Sequence, residues 1–186
     1  MEKYRMVFSG SGGQGVITAA IILAEAAVLH EGLIAVQSQS YGAEARGGAT
    51  RGDLIISEFP ILFPKVTQPN VLVCLTQEAY DKFTPIIRPG GLLLSDDRFV
   101  EPRKKVDARQ VSLPMFQTVM EELGDPVAFN ICMLGALMGL IGVVRVESIL
   151  AVIAKRVPEA YVEMNGKALS LGVGLTEGAS GGPAGG

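Results

Sequence analysis

The chain has 186 residues, 48% of them apolar, which suffices for the buried core of one domain. Its formal net charge of −3 offers no broad cationic surface, which argues against nucleic acid as a partner. There are two cysteines, Cys74 and Cys132, both inside apolar runs. They read as reduced core thiols of a cytoplasmic protein, too few to supply the four ligands of an iron–sulfur cluster.

Tyr4-Arg5-Met6-Val7-Phe8-Ser9 predicts a strand that runs into Gly10-Ser11-Gly12-Gly13-Gln14-Gly15, followed by a helix over about 14–30. Strand, glycine turn and helix start, in that order, aim backbone N–H groups at the positive end of a helix, a site suited to phosphate or another anion. The initial apolar run is short and breaks at these glycines, unlike a signal peptide. Residues 33–37 predict a second strand, 38–48 a polar, glycine-rich loop and 49–57 a third strand. Then come a buried strand at 70–76, an amphipathic helix at 77–87 and a strand at 92–95 after Pro89-Gly90-Gly91. Another strand is expected near 106–111. Helices follow at 115–123, 128–143, 147–156 and 159–171. This alternation predicts a Rossmann-like three-layer α/β/α domain with a mostly parallel sheet and a helical C-terminal part. Residues 4–172 form the domain and 173–186 a flexible Gly/Ala-rich tail. Ligands of such sheets sit at the carboxyl ends of the strands. Gly10–Gly15, the 38–48 loop and the turn after Thr76 all fall there.

The apolar run 131–144 is 14 residues long, short of the ~20 a membrane span requires. Gly135, Gly139 and Gly142 within it favour close helix packing, inside the chain or against a partner. The spacing Gly10-x-Gly12-x-x-Gly15 matches the dinucleotide fingerprint, but the second strand ends in Gln37-Ser38 where an acidic residue should hold the ribose. The loop Ser40-Tyr41-Gly42-Ala43-Glu44-Ala45-Arg46-Gly47-Gly48 brings one aromatic, one acid and one guanidinium between glycines, beside the anion nest. Arg46 could grip a phosphate or carboxylate with two hydrogen bonds, and Gly47 and Gly48 let the backbone close over it. Glu44 pairing with Arg46 on the surface is the plainer alternative. No catalytic residue stands out and no metal-ligand spacing is present. His30, the only histidine, falls at the end of the first helix. Arg98, Arg103, Lys104, Lys105 and Arg109 read as a solvated edge. Met115, Met120, Met133 and Met138 read as core.

The pairing of Gly10-Ser11-Gly12-Gly13-Gln14-Gly15 with Gln39-Ser40-Tyr41-Gly42-Ala43-Glu44-Ala45-Arg46-Gly47-Gly48 resembles the gamma subunit, or domain, of 2-oxoacid:ferredoxin oxidoreductases. Supporting pieces are Leu54-Ile55-Ile56-Ser57, Ile61-Leu62-Phe63-Pro64, Thr76-Gln77-Glu78-Ala79-Tyr80, the stretch 90–96, and Asn165-Gly166-Lys167-Ala168-Leu169. The wording of the second glycine motif is most similar to 2-oxoglutarate enzymes, and indolepyruvate enzymes carry a related small chain. The resemblance implies oxidative decarboxylation of a 2-oxoacid to an acyl-coenzyme A, with electrons passed to ferredoxin. It implies alpha and beta subunits as partners, with delta as an open addition. Thiamine diphosphate, magnesium and iron–sulfur clusters would lie on those partners. It further implies that this chain helps hold coenzyme A between two walls: Gly10, Ser11, Gly12, Gly13, Gln14 and Gly15, and Ser40, Tyr41, Gly42, Glu44, Arg46, Gly47 and Gly48. Some members have lysines near Arg46; here a single guanidinium stands. Nucleic acid and membrane are not expected partners. The rivals are a stand-alone nucleotide-binding or regulatory module and a purely structural scaffold.

Overall fold

A computed structural model describes residues 3–39, 48–103 and 105–178. Six strands form one sheet: β1 (Tyr4–Gly10), β2 (Ile34–Gln39), β3 (Thr50–Ser57), β4 (Val71–Cys74), β5 (Gly91–Asp96) and β6 (Ala108–Leu113). Their spatial order is β2-β3-β1-β4-β5-β6. The β1–β4, β4–β5 and β5–β6 pairs are parallel, whereas β3 runs antiparallel to both β1 and β2. The sheet is therefore mixed, with β3 alone reversed. That reversal places the carboxyl ends of β1, β2 and β4 beside the start of β3, since Gly10 registers with Thr50, Gln39 with Gly52 and Ser9 with Cys74.

The helices are α1 (Val16–Glu31), α2 (Gln77–Phe83), α3 (Met115–Glu122), α4 (Phe129–Ile141), α5 (Val146–Arg156) and α6 (Glu159–Thr176). Strand side chains alternate between faces. Met6, Phe8, Leu54, Ile56, Val73 and Leu94 meet α1 and the C-terminal helices, while Val7, Ile55, Leu72 and Leu93 meet α2. This gives the expected three layers, very unequal in thickness. The predicted helix at 77–87 stops at Phe83, because Pro85 cannot donate to a continuing ladder and a 3-10 turn, Thr84–Ile86, takes over.

Residues 129–138 of α4 are all buried, so the greater part of the oily run is covered within the chain, while 139–142 are exposed or half-buried. Its glycines explain how: a Cβ on Gly135 would strike the Leu169 carbonyl, and one on Gly172 of α6 would strike the Cys132 carbonyl. The two helices touch backbone to backbone. Two acid–base contacts clasp α5 to α1. Glu25 pairs with Arg156 at 2.8 Å, and Glu31 accepts from the Ser148 hydroxyl at 2.5 Å and from Arg145 at 3.0 Å. Met115, Met133 and Met138 are core as expected, but Met120 is 38% exposed, since it lies on the outer side of the short α3. α6 runs on to Thr176, past residue 172, and residues 179–186 lie outside the described residues. Among the described residues no helix is long and apolar enough to cross a membrane.

Candidate functional site

β1 delivers the chain to the carboxyl edge of the sheet at Gly10. Ser11 is extended, Gly12–Gln14 form a 3-10 turn, and Gly15 turns left-handed at φ 70° to start α1. A residue with a Cβ would be strained there, and its Cβ would fall 2.6 Å from the Asn130 side-chain nitrogen. Asn130, on α4, donates to the Gly15 carbonyl at 3.1 Å. From the other side, the Gln14 amide accepts the Ser11 N–H at 2.8 Å and donates to the Leu75 carbonyl at 3.0 Å. The turn is thus clamped between α4 and the end of β4. Ser9 adds a third tie, donating to the Thr50 carbonyl at 2.8 Å.

The six residues of the motif therefore divide. Gly10 is buried, and a Cβ there would meet the Gln14 side chain. The Gln14 amide is spent on bracing, and Gly15 supplies the left-handed start. Ser11, Gly12 and Gly13 are exposed. Around Gly13 nothing lies within 4 Å of an added Cβ, and around Gly12 only the Thr50 hydroxyl, at 3.9 Å. α1 has neither a side-chain cap nor an acid in its first turn, so no carboxylate of the helix itself opposes an anion at its positive end. A groove of about 410 Å³ opens on the α4 flank of the turn. It is lined by Gly13, Thr18, Val127, Asn130, Tyr161 and Asn165.

Of the second predicted wall, Ser40, Tyr41, Gly42, Glu44, Arg46 and Gly47 lie outside the described residues. Gly48 is half-buried, two residues before Thr50, the register partner of Gly10. Of the two ends of that loop, Gly48 thus lies close to the glycine turn, whereas Gln39 registers with Gly52 one strand further out. Arg51, the next cation along β3, is committed elsewhere: it grips Asp53 through two bonds of 2.7 and 3.0 Å and donates to the Val66 carbonyl at 2.6 Å. Arg103 is likewise engaged, with Asp81. His30 sits in the last turn of α1, as expected. Both thiols are buried. Burial pushes Cys74 far up and Cys132 up to about 12, so neither is a ready nucleophile.

Asn130, Thr18, Tyr161 and Asn165 carry the clamp and the groove; the first three were not singled out from sequence, and Asn165 entered only within the family-like stretch 165–169. Asn130 had a readable signal, being the one polar residue opening an oily helix, which had to find a partner once buried.

The profile of the pyruvate ferredoxin/flavodoxin oxidoreductase family matches residues 5–175. The chain belongs to that family. It is 46% identical over 166 residues to the 2-oxoglutarate synthase subunit KorC of Methanocaldococcus jannaschii, covering 88% of this chain and 89% of that one. It is 35% identical over 139 residues to the ketoisovalerate oxidoreductase subunit VorA of Methanothermobacter marburgensis, covering 75% of this chain but 29% of that longer one. Its fold superposes with a TM-score of 0.88 on the gamma subunit of a keto/oxoacid ferredoxin oxidoreductase from Geobacter sulfurreducens, at 40% identity and with 96% and 99% of the two chains covered. The fold also recurs, with a TM-score of 0.85 at 22% identity, in 2-oxoglutarate:ferredoxin oxidoreductase from Magnetococcus marinus, a structure with 2-oxoglutarate, coenzyme A and succinyl-CoA bound. There 96% of this chain matches 32% of that one. Within the oxidoreductase family, the glycine turn of this chain stands at the sheet edge where α/β folds take ligands.

Proposed function

We propose that this chain is the gamma subunit of a 2-oxoglutarate:ferredoxin oxidoreductase and that its glycine turn helps hold coenzyme A. As a member of its family it is one chain of a multi-subunit oxoacid:ferredoxin oxidoreductase. The observation that carries the coenzyme A reading is the division of the glycine motif. Two glycines serve the fold, while Gly12 and Gly13 leave open backbone at the positive end of α1. An extended ligand with a pyrophosphate fits that combination. Its anionic part would lie against exposed amides, and its less polar arm would follow the groove past Val127 and Tyr161. Gly48 and the loop it closes, with Ser40, Tyr41, Gly42, Glu44, Arg46 and Gly47, would form the second wall, and Arg46 would supply the cation that Arg51 cannot.

The chemistry assigned to this chain is positioning. Holding the pyrophosphate fixes where the thiol of coenzyme A can reach, which converts an encounter into an oriented approach. The decarboxylation and electron-transfer chemistry would come from thiamine diphosphate with magnesium and from iron–sulfur clusters, on alpha and beta partners. The site would lie in the cytoplasm with those partners.

The test is the purified complex assayed for 2-oxoglutarate-dependent ferredoxin reduction. Arg46→Ala should raise the KM for coenzyme A at least tenfold and spare decarboxylation measured without coenzyme A. Unchanged coenzyme A kinetics would refute the assignment. A chain that purifies as a monomer with nucleotide affinity would favour the stand-alone module.

A further inference from the structure

We propose that an apolar corner formed by Ile34, Phe59, Leu62 and Phe63 is the surface on which this chain docks to a different subunit of its oxidoreductase. The inference rests on the multi-subunit reading above and locates the contact. The four side chains are 39%, 68%, 92% and 61% exposed. Single exposed apolar residues are ordinary, but three within five residues, joined by a fourth from a neighbouring strand, form a patch.

The patch is built onto a firm frame. Ile34 opens the edge strand β2 and registers with Ser57, whose hydroxyl accepts the Phe59 N–H at 3.0 Å. Ile61 turns inward against the α2-side core, and Val66 is buried with its carbonyl held by Arg51. Between these anchors the segment carries Pro60 and Pro64, which fix φ and limit the freedom lost on binding. Phe59, Leu62 and Phe63 are therefore presented outward by an anchored strap. The patch also occupies the thin side of the molecule. Ile34 and Val36 alternate onto the same face as Ile55, where the only described helix is the seven-residue α2.

The occupant follows from how relatives are built. In the VorA relative the matching region is 29% of a longer chain, and in the Magnetococcus chain the same fold is 32% of the whole. In both, the matched region is thus one part of a longer polypeptide. In the KorC subunit of Methanocaldococcus jannaschii the matching region is 89% of the chain, so there the same region is a separate subunit that meets its neighbours by its surface. On the multi-subunit reading the occupant here is a different subunit, and a second copy of this chain is the alternative the test separates.

The experiment purifies the tagged complex with Phe59→Ser/Leu62→Asp in this chain, beside wild type and a Met120→Asp control on the exposed side of α3. The double variant should keep its melting temperature yet recover less than a tenth of the wild-type amount of the other subunits, while Met120→Asp recovers them normally. Leu62→Ser alone, at a side chain with almost no packing to lose, should lower recovery at least threefold. Wild-type stoichiometry in both patch variants would overturn the inference, as would a loss confined to self-association of this chain. A wild-type chain that brings no other subunit with it would overturn this inference and the functional reading together.

Discussion

Replacing Gly13 and Gly15 separately tests whether the glycine motif is divided between binding and folding. At Gly15 an alanine must hold φ near 70°, a conformation costing roughly 1–2 kcal/mol. Its Cβ would lie 2.6 Å from the Asn130 nitrogen and 3.0 Å from its Cγ. Asn130 must then move and give up its bond to the Gly15 carbonyl, about 1 kcal/mol more. The sum, about 2–3 kcal/mol, corresponds to a fall in Tm of roughly 5–10 °C for a chain of this size. At Gly13 no atom lies within 4 Å of an added Cβ and φ is not left-handed, so Gly13→Val should stay within about 0.5 kcal/mol of wild type. Thermal unfolding of the chain and coenzyme A kinetics of the complex read the two effects. Gly15→Ala should melt early. Gly13→Val should melt normally and raise the KM for coenzyme A more than tenfold, because its side chain stands where the ligand meets the backbone. If Gly13→Val leaves that KM untouched, or unfolds the chain as readily as Gly15→Ala, the division is wrong.

Three further outcomes follow from the packing. Gly172→Ala should cost about 3 kcal/mol or more, seen in urea unfolding, because its Cβ meets the Cys132 backbone, which cannot turn aside. An unchanged midpoint would contradict the close α4–α6 contact. Asp96 is buried and accepts the Arg98 and Phe116 N–H groups at 3.0 and 2.7 Å, so Asp96→Ala strands two donors and should lower Tm by roughly 5–10 °C. Burial outweighs those bonds and raises the Asp96 pKa, so its titration alone disfavours the fold as pH rises. Glu25 and Glu31 behave oppositely. The Arg156 bond holds Glu25 below its ordinary 4.5, and the Ser148 hydroxyl chiefly does so for Glu31. Their stabilisation is full above about pH 4.5 and lost as pH falls through the lowered values. Glu25→Gln/Glu31→Gln should therefore be less stable than wild type at neutral pH, by a gap that narrows as the pH falls below about 4.5. A gap that does not narrow in acid would count against the clasp.

The order of strands and helices was legible because buried strands and helix-period segments differ in length and punctuation. The glycine turn was legible for the same reason, since a strand, Gly10–Gly15 and an alanine-rich helix leave few alternatives. The reversal of β3 was not. A strand's residues record which side chains are buried and say nothing of its direction, so its insertion between β2 and β1 appeared only in the pairing. That insertion gives a structural reason why the dinucleotide fingerprint misleads here: the tip of β2 is one strand further from Gly10 than the fingerprint requires. Gln14 was read as part of a ligand wall, and the structure turns its amide inward onto Ser11 and Leu75. Motif spacing identifies which residues gather, whereas which of them face outward depends on partners 60 or more positions away. The same holds for Asn130 and for the acids that clasp α5. The exposure of Phe59, Leu62 and Phe63 was also invisible, because a sequence shows which residues are apolar and not which of them the fold leaves uncovered.

Hydrogen–deuterium exchange of the purified complex, with and without coenzyme A, tests the central claim most directly. Bound coenzyme A should slow exchange at Ser11, Gly12 and Gly13 and in the peptide spanning 40–48, with little change across α2. Identical exchange at the glycine turn, in a complex shown by its kinetics to be saturated with coenzyme A, would contradict it.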